Sequence, residues 1–325
     1  MGEPELMQDY TSIREEVAKL CQKFPGEYWR ARDKAREYPS DFVAALGEAG
    51  YLAELRLQAF GVTEPTSGTD TLALKTVAKR DGDDYIVNGQ KLWTSRAEHS
   101  DLMLLLARTT PRDEVTKRTD GLSVFLVDMN AALDNGLAIR PIDTMMNHST
   151  TELFFDNMRV PAANLIGEEG NGFRYILSGM NAERLLIAAE CIGDAKWFIE
   201  KATAYAKERV LFDRPIGQNQ GVQFPIARAY AQMRAAELLV HEGLRKYEAG
   251  ESCGEEANMA KMLAAEASWA AGEACVQTHG GFGFAAEYDV ERKFRETRLY
   301  QVAPISTNMI LSYVAEHVLG LPRSY

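Results

Sequence analysis

The period of apolar positions changes twice along the chain. Up to about residue 53 the spacing is helical: Ile13, Val17, Leu20 and Phe24 recur every three or four residues until Pro25-Gly26 breaks the run. A second helix is predicted from Pro39-Ser40, carrying Phe42, Val43, Leu46 and Ala49 and stopped by Gly50. From Leu55 the pattern becomes that of strands. Leu72, Leu74, Thr76 and Ala78 alternate with Ala73, Lys75, Val77 and Lys79, and further strands are predicted at 91–95, 102–108, 122–127, 137–141 and 152–158. Asp81-Gly82 and Asn88-Gly89 read as tight turns, because these residues tolerate positive φ. After Asn164 the helical period returns. One long helix spans about 171–210 and ends at a loop, Phe212 to Gly217; others follow from Pro225, over about 255–278 and over about 290–319.

Pattern alone therefore predicts an α+β fold in three parts. Residues 1–53 form a short N-terminal helical segment, 54–165 a compact antiparallel β domain (a barrel or a sandwich), and 166–325 an antiparallel four-helix bundle. A length of 325 residues suits two or three domains at roughly 150 residues each.

Composition narrows the function. Lys and Arg number 36 against 47 Asp and Glu, a formal net charge of −11, and no basic block interrupts the acidic background. That argues against nucleic acid or an anionic membrane surface as partner, while leaving room for a local basic pocket. No apolar run approaches the length of a membrane span. The four cysteines include no Cys-x-x-Cys pair and the five histidines no metal spacing, so no metal site is expected and the thiols read as free in a reducing compartment. The acidic start, Met1-Gly2-Glu3-Pro4-Glu5, has no signal-peptide character, and a cytoplasmic protein is expected, with an organelle matrix as the alternative.

Three stretches carry candidate chemistry. Gly61-Val62-Thr63-Glu64-Pro65-Thr66-Ser67-Gly68-Thr69-Asp70 follows a strand and is crowded with hydroxyls, which suits either a phosphate or ring edge or a self-bonded β-turn. Gln277-Thr278-His279-Gly280-Gly281-Phe282-Gly283-Phe284 closes a helix with glycines, which admit either close approach of a ligand or simple helix termination. Lys91-Leu92-Trp93-Thr94-Ser95 sets an indole beside two hydroxyls, a possible wall for an aromatic ring or an ordinary core tryptophan.

Taken together these stretches resemble the signatures of the acyl-CoA dehydrogenases. Gly61 to Ala73 matches the first at every specified position, and Gln277, Gly280, Gly281, Gly283, Phe284, Glu287, Arg292 and Glu296 match the second. The resemblance implies an FAD cofactor held between the β domain and the bundle. It puts Thr63 on the pyrimidine edge of the isoalloxazine with Phe60 and Val62 beside it, Trp93 over one ring face, Ser95 near N5, and Thr69 near the pyrophosphate or the thioester. Arg209, Phe212, Gln220, Gln277, Gly280 and Gly281 match positions that reach the adenosine diphosphate half from a neighbouring subunit; Ser306 and Asn308 match positions near the adenine. A homo-oligomer, dimer or tetramer, is thereby implied. The implied reaction is α,β-dehydrogenation of an acyl-CoA thioester, with electrons passed to an electron-transfer flavoprotein or a similar acceptor.

Two features depart from the family pattern. Many members carry the catalytic base in a Tyr-Glu-Gly-Thr segment, but here Leu299-Tyr300-Gln301-Val302-Ala303-Pro304 puts proline at that place. Another group carries the base in a Leu-Glu-Arg run on a bundle helix, matched here by Asn181-Ala182-Glu183-Arg184. Glu183 is therefore the expected base, with Asn181 and Arg184 supporting substrate, and Glu190 further along the helix is the fallback. In addition, Gly50-Tyr51-Leu52-Ala53 runs almost directly into Glu54-Leu55-Arg56-Leu57, where relatives have several more helices over the acyl pocket. Two alternatives follow: a shortened, catalytically impaired FAD-binding homologue, or an oxygen-reacting flavin oxidase of the same family.

Overall fold

A computed structural model describes residues 10–52 and 57–323. The expected junction at 53/54, the Glu54-Leu55-Arg56 segment, the acidic start at 1–5 and the last two residues lie outside the described residues.

Three short helices come first: α1 (Thr11–Cys21), α2 (Gly26–Ala35) and α3 (Ser40–Glu48). α2 is absent from the pattern-based expectation. Pro25 stands immediately before its first turn, where a missing N–H costs nothing, so the proline that ends one helix also opens the next. Its aromatic residues explain the weak helical period: Tyr28 and Trp29 pack edge-on against Phe24 and Phe42, joining α2 to α3. Of the α1 periodic set only Leu20 is buried on that helix. Gly50, at φ 79°, ends the α3 region as expected.

The β domain contains β1 (Gln58–Gly61), β2 (Val77–Asp81), β3 (Asp84–Ser95), β4 (Leu102–Arg108), β5 (Leu122–Asp128), the short helix α4 (Met129–Leu133), β6 (Leu137–Pro141), β7 (Thr150–Pro161) and β8 (Leu165–Ile166). They form one sheet in the order β6-β7-β3-β2-β4-β5-β8, with β1 also on β4. The sheet is open rather than a closed barrel, and it is not wholly antiparallel. β1 runs parallel to β4, and Val77 of β2 makes a single parallel pairing with Arg108 of β4. The long excursion through the β2–β3 hairpin brings β4 back in the direction of β1. Tyr85, Val87, Met103, Leu105, Phe125, Val127, Leu153 and Phe155 fill the core beneath it.

Two sequence expectations fail here for one reason. The alternating run 72–79 is a strand only from Val77; Thr71–Ala73 is a 3-10 turn, and the N–H groups of Lys75 and Thr76 donate to the Glu64 carboxylate instead of a ladder. Asn88-Gly89 is not a turn. It lies inside β3 at a bulge, with Gly89 at φ 149° and its backbone so close to Thr76 that a Cβ would meet the Thr76 Cα at 2.7 Å. Packing against the 64–76 loop thus overrides both local signals. Asp81-Gly82 does turn the chain between β2 and β3.

The bundle is built from α5 (Gly172–Glu208), the two-stranded ribbon β9 (Val210–Leu211) and β10 (Arg214–Pro215), α6 (Gln220–Glu248), α7 (Gly254–His279), α8 (Val290–Thr297) and α9 (Thr307–Tyr313). α6 starts five residues before Pro225, which lies inside the helix rather than opening it. The expected fourth helix is four pieces: α8, a 3-10 turn at Arg298–Gln301, α9 beyond a break at 302–306 that contains Pro304, and a π-helical turn at Val314–Val318. Proline there has no N–H to continue a helical ladder. α7 is alanine-rich at Ala257, Ala260, Ala264, Ala267 and Ala271, and these small faces let α5 and α6 close around it over Ala188, Phe198, Met233 and Val240. A third cluster, Val62, Leu74, Leu106, Leu122 and Val124 with Ile176 of α5, fastens the bundle to the sheet.

Candidate active site

The first signature hangs on a buried ion pair. Glu64 and Ser67 close a tight turn through their backbones, and the Ser67 hydroxyl donates to the Asp70 carbonyl. Below them the fully buried Lys91 donates to the Val62 carbonyl and to Glu64 Oε1, both at 2.9 Å. Burial works to raise the Glu64 carboxyl, but Lys91 and the two backbone donors outweigh it and hold it below its usual value. On Lys91 burial dominates and brings the ammonium down to about 8, against the pull of Glu64. The pair is ionised at neutral pH.

This clamp sets the neighbours. The Leu92 N–H donates to the Thr63 carbonyl at 2.8 Å, so Thr63 lies beside the end of β3. Trp93 then falls where the β3–β7 register shifts, at φ 60°, and its indole is thrown outward, 55% exposed. Phe60 is likewise 40% exposed, Thr63 is half-buried, and the Val62 side chain points into the core shared with α5. Ser95, last in β3, has its Oγ 2.9 Å from His148 Nε2. Thr69 is exposed on the turn.

α5 carries Asn181, Glu183 and Arg184, all half-buried. Arg184 donates to Asn181 Oδ1 at 3.0 Å. Burial raises the Glu183 carboxyl above its usual value and Arg184 opposes the rise. Glu190, two turns on and on the same face, accepts from the Tyr300 hydroxyl at 2.7 Å. Beneath the 302–306 break, the buried Lys261 of α7 donates to the Ile305 carbonyl at 2.7 Å. Ser306 precedes the first turn of α9 and Asn308 is exposed on it.

The remaining predicted residues gather elsewhere. Arg209 sits with its guanidinium 5.9 Å from the Phe282 ring centre, which joins the end of α5 to the Gly280-Gly281 turn after α7. Gly280 (φ 57°) and Gly281 open onto free space, Gln277 and Gln220 are exposed, and Phe212 stands 96% exposed at the tip of the β9–β10 ribbon. Residue 183 lies about a third of the way along α5 and Arg209 caps its C-terminal end, about 39 Å further on at the helical rise of ~1.5 Å per residue. The structure thus sorts the predicted residues into two groups. One gathers Phe60, Thr63, Trp93 and Ser95 around β1 and the end of β3; the other gathers Arg209, Phe212, Gln220, Gln277, Gly280 and Gly281 around the C-terminal end of α5.

Sequence reasoning missed the Lys91–Glu64 pair, His148, the Tyr300–Glu190 contact and Lys261. Each joins residues distant in sequence, and only the apparent isolation of polar side chains in apolar runs (Lys91, Lys261) could have signalled them.

Comparison with known proteins agrees with the resemblance. Residues 59–158 match the middle domain of acyl-CoA dehydrogenase and residues 170–319 its C-terminal domain. An acyl-CoA dehydrogenase of Bacillus subtilis (strain 168) is 36% identical over 265 residues, covering 81% of this chain and 69% of the relative. Among solved structures, a glutaryl-CoA dehydrogenase from Mycobacterium smegmatis in complex with FADH2 is 26% identical with a TM-score of 0.75, covering 83% of this chain and 67% of that one. A chain solved in work on the electron transferring flavoprotein of Acidaminococcus fermentans is 25% identical with a TM-score of 0.90, covering 98% and 99%. Among the described residues no helix is long and apolar enough to cross a membrane. This chain belongs to the acyl-CoA dehydrogenase family of FAD-dependent oxidoreductases.

Proposed function

We propose that the protein dehydrogenates an acyl-CoA thioester between its α and β carbons, with Glu183 as the base. The observation that carries this is the half-buried Glu183 carboxylate on α5, raised by burial beside Arg184, in a chain with Pro304 at the other family position for the base. A raised carboxylate is a better proton acceptor, and a weakly acidic α-proton needs one. Arg184 opposes that rise. Asn181, tied to Arg184, supports the substrate.

The residues present fit FAD. An exposed indole on a bulge, a half-buried threonine beside it and a glycine turn open to solvent are surfaces that a flavin and its phosphates cover. Phe60, Val62, Thr63, Thr69, Trp93 and Ser95 would hold the ring and pyrophosphate, and Ser306 and Asn308 the adenine end. When bound, the flavin supplies the acceptor for the β-hydride. The length of α5 between Glu183 and Arg209 supports a site shared between subunits, Arg209, Phe212, Gln220, Gln277, Gly280 and Gly281 serving a neighbour's cofactor in a dimer or tetramer. Electrons then pass to an electron-transfer flavoprotein; the likeness to the Acidaminococcus fermentans chain supports that acceptor.

The test is a panel of acyl-CoA thioesters, varied in length and branching, against a dye acceptor and against air. Turnover with dye supports the proposal. Equal turnover in air makes the protein an oxidase, and a purified protein without flavin makes it the silent, shortened homologue.

A further inference from the structure

A serine hydroxyl at a ring edge is a free rotor unless something holds it. Here something does. Ser95 is anchored by its backbone opposite Thr150 of β7, immediately after the Trp93 bulge, and its Oγ lies 2.9 Å from His148 Nε2. His148 belongs to the 142–149 loop, whose shape is set from outside the β domain. Arg36 donates to the carbonyls of Thr144 and Met146, and the Asn147 amide donates to the carbonyls of Arg32 and Glu37. The His148 N–H donates to the Met146 carbonyl. The imidazole borders a cavity of about 140 Å³ lined by Arg36, Tyr38 and Asp143, among others. Burial holds it below its usual value, Glu190 pulling upward and Arg96 downward, so it is neutral at pH 7 with one N–H and one bare nitrogen.

We propose that His148 is a positioning residue for the cofactor: through its hydrogen bond to Ser95 Oγ it fixes the hydroxyl that borders the flavin. This rests on the reading that the flavin lies against Trp93 and Ser95. A neutral imidazole commits the Ser95 hydroxyl to one role, donor or acceptor, toward Nε2, so a single orientation faces the ring. The N-terminal segment, through Arg36 and Asn147, then acts on the site without touching it.

Two measurements test this. In the apoprotein, the His148 imidazole ¹⁵N signals, assigned by their loss in His148→Gln, should move in Ser95→Ala; unmoved signals remove the bond. In the second, FAD affinity and flavin midpoint potential are compared in Ser95→Ala, His148→Leu, His148→Gln and Ser95→Ala/His148→Leu. Each of Ser95→Ala and His148→Leu should weaken FAD about 2- to 13-fold, the range of one net hydrogen bond. The double variant should be no worse than Ser95→Ala, its potential equal to that of Ser95→Ala, and His148→Gln should recover part of the loss. Equal effects of His148→Leu with and without Ser95 overturn the proposal alone. A wild-type chain that binds no FAD removes the functional reading and this proposal together.

Discussion

Glu183 shows how much a single side chain can change character with its surroundings. On an exposed helix it would be a solvated carboxylate; here burial disfavours its charge and Arg184 limits the penalty. A carboxyl raised in the folded state contributes stability while protonated, below its unfolded value near 4.5, and loses that contribution as pH rises through the folded value. Above that folded value the carboxylate costs stability, and Glu183→Gln should melt no lower than wild type in a thermal scan there. The same substitution should slow flavin reduction by about 10²–10⁴, the worth of a general base. The rate of reduction in wild type should fall as pH is lowered, with an apparent pKa above 4.5; a limb at or below that value would mean another group takes the proton. Nothing local distinguishes Glu183 in the sequence. The role proposed for it rests on the family resemblance and the proline at 304, whereas His148 gives no sequence signal at all.

At the scale of elements, the first signature is a loop pinned by chemistry rather than by pairing. Glu64 takes two backbone N–H groups and Lys91, so the 62–76 segment has its polar groups satisfied without a strand ladder. Lys91→Met should destabilise the protein by about 3–5 kcal/mol in urea unfolding, because it strands a buried carboxylate, and Glu64→Gln in the same chain should recover part of that. Equal losses in the single and double variants would deny the pair this role. Because the Glu64 carboxyl is held below its unfolded value, its stabilisation is present above pH 4.5 and is lost as pH falls through and below that value. The sequence made 102–108 and 137–141 legible to the residue: the first is a nearly continuous apolar run bounded by Asp101 and Arg108, and the second follows Gly136 and ends at Pro141. It misread 72–79, Asn88-Gly89 and the fourth helix. In each of the first two a side chain or backbone far away in sequence supplies the hydrogen bonds or the close contact, and periodicity carries no record of that. At the third, Pro304 removes the N–H that a continuous helix would need, and the apolar period on either side of it does not register the break.

Across the whole molecule, α5 is the beam that separates the two halves of the candidate site, and α2 is the strap that holds the front. Arg295 of α8 donates to Asp33 at 2.7 Å, and Arg30 to Asp289 at 2.5 Å, tying α2 to the bundle while α2 in turn holds the 142–149 loop. Arg295→Ala should cost about 1.5–3 kcal/mol, as a charged hydrogen bond does, and should speed hydrogen exchange in 26–35 before it does so in α7. If the site is shared between subunits, co-assembled Trp93→Ala and Arg209→Ala chains should regain FAD sites that neither variant holds alone, since one site in the mixed pair is wild type at both positions. No regain would place both residues in one subunit's own site. The most direct test of the central claim is anaerobic stopped-flow mixing of the purified flavoprotein with acyl-CoA, followed at the visible flavin band. The account predicts rapid bleaching in wild type and slow bleaching in Glu183→Gln at unchanged FAD content; bleaching at the same rate in both, or in neither, would contradict it.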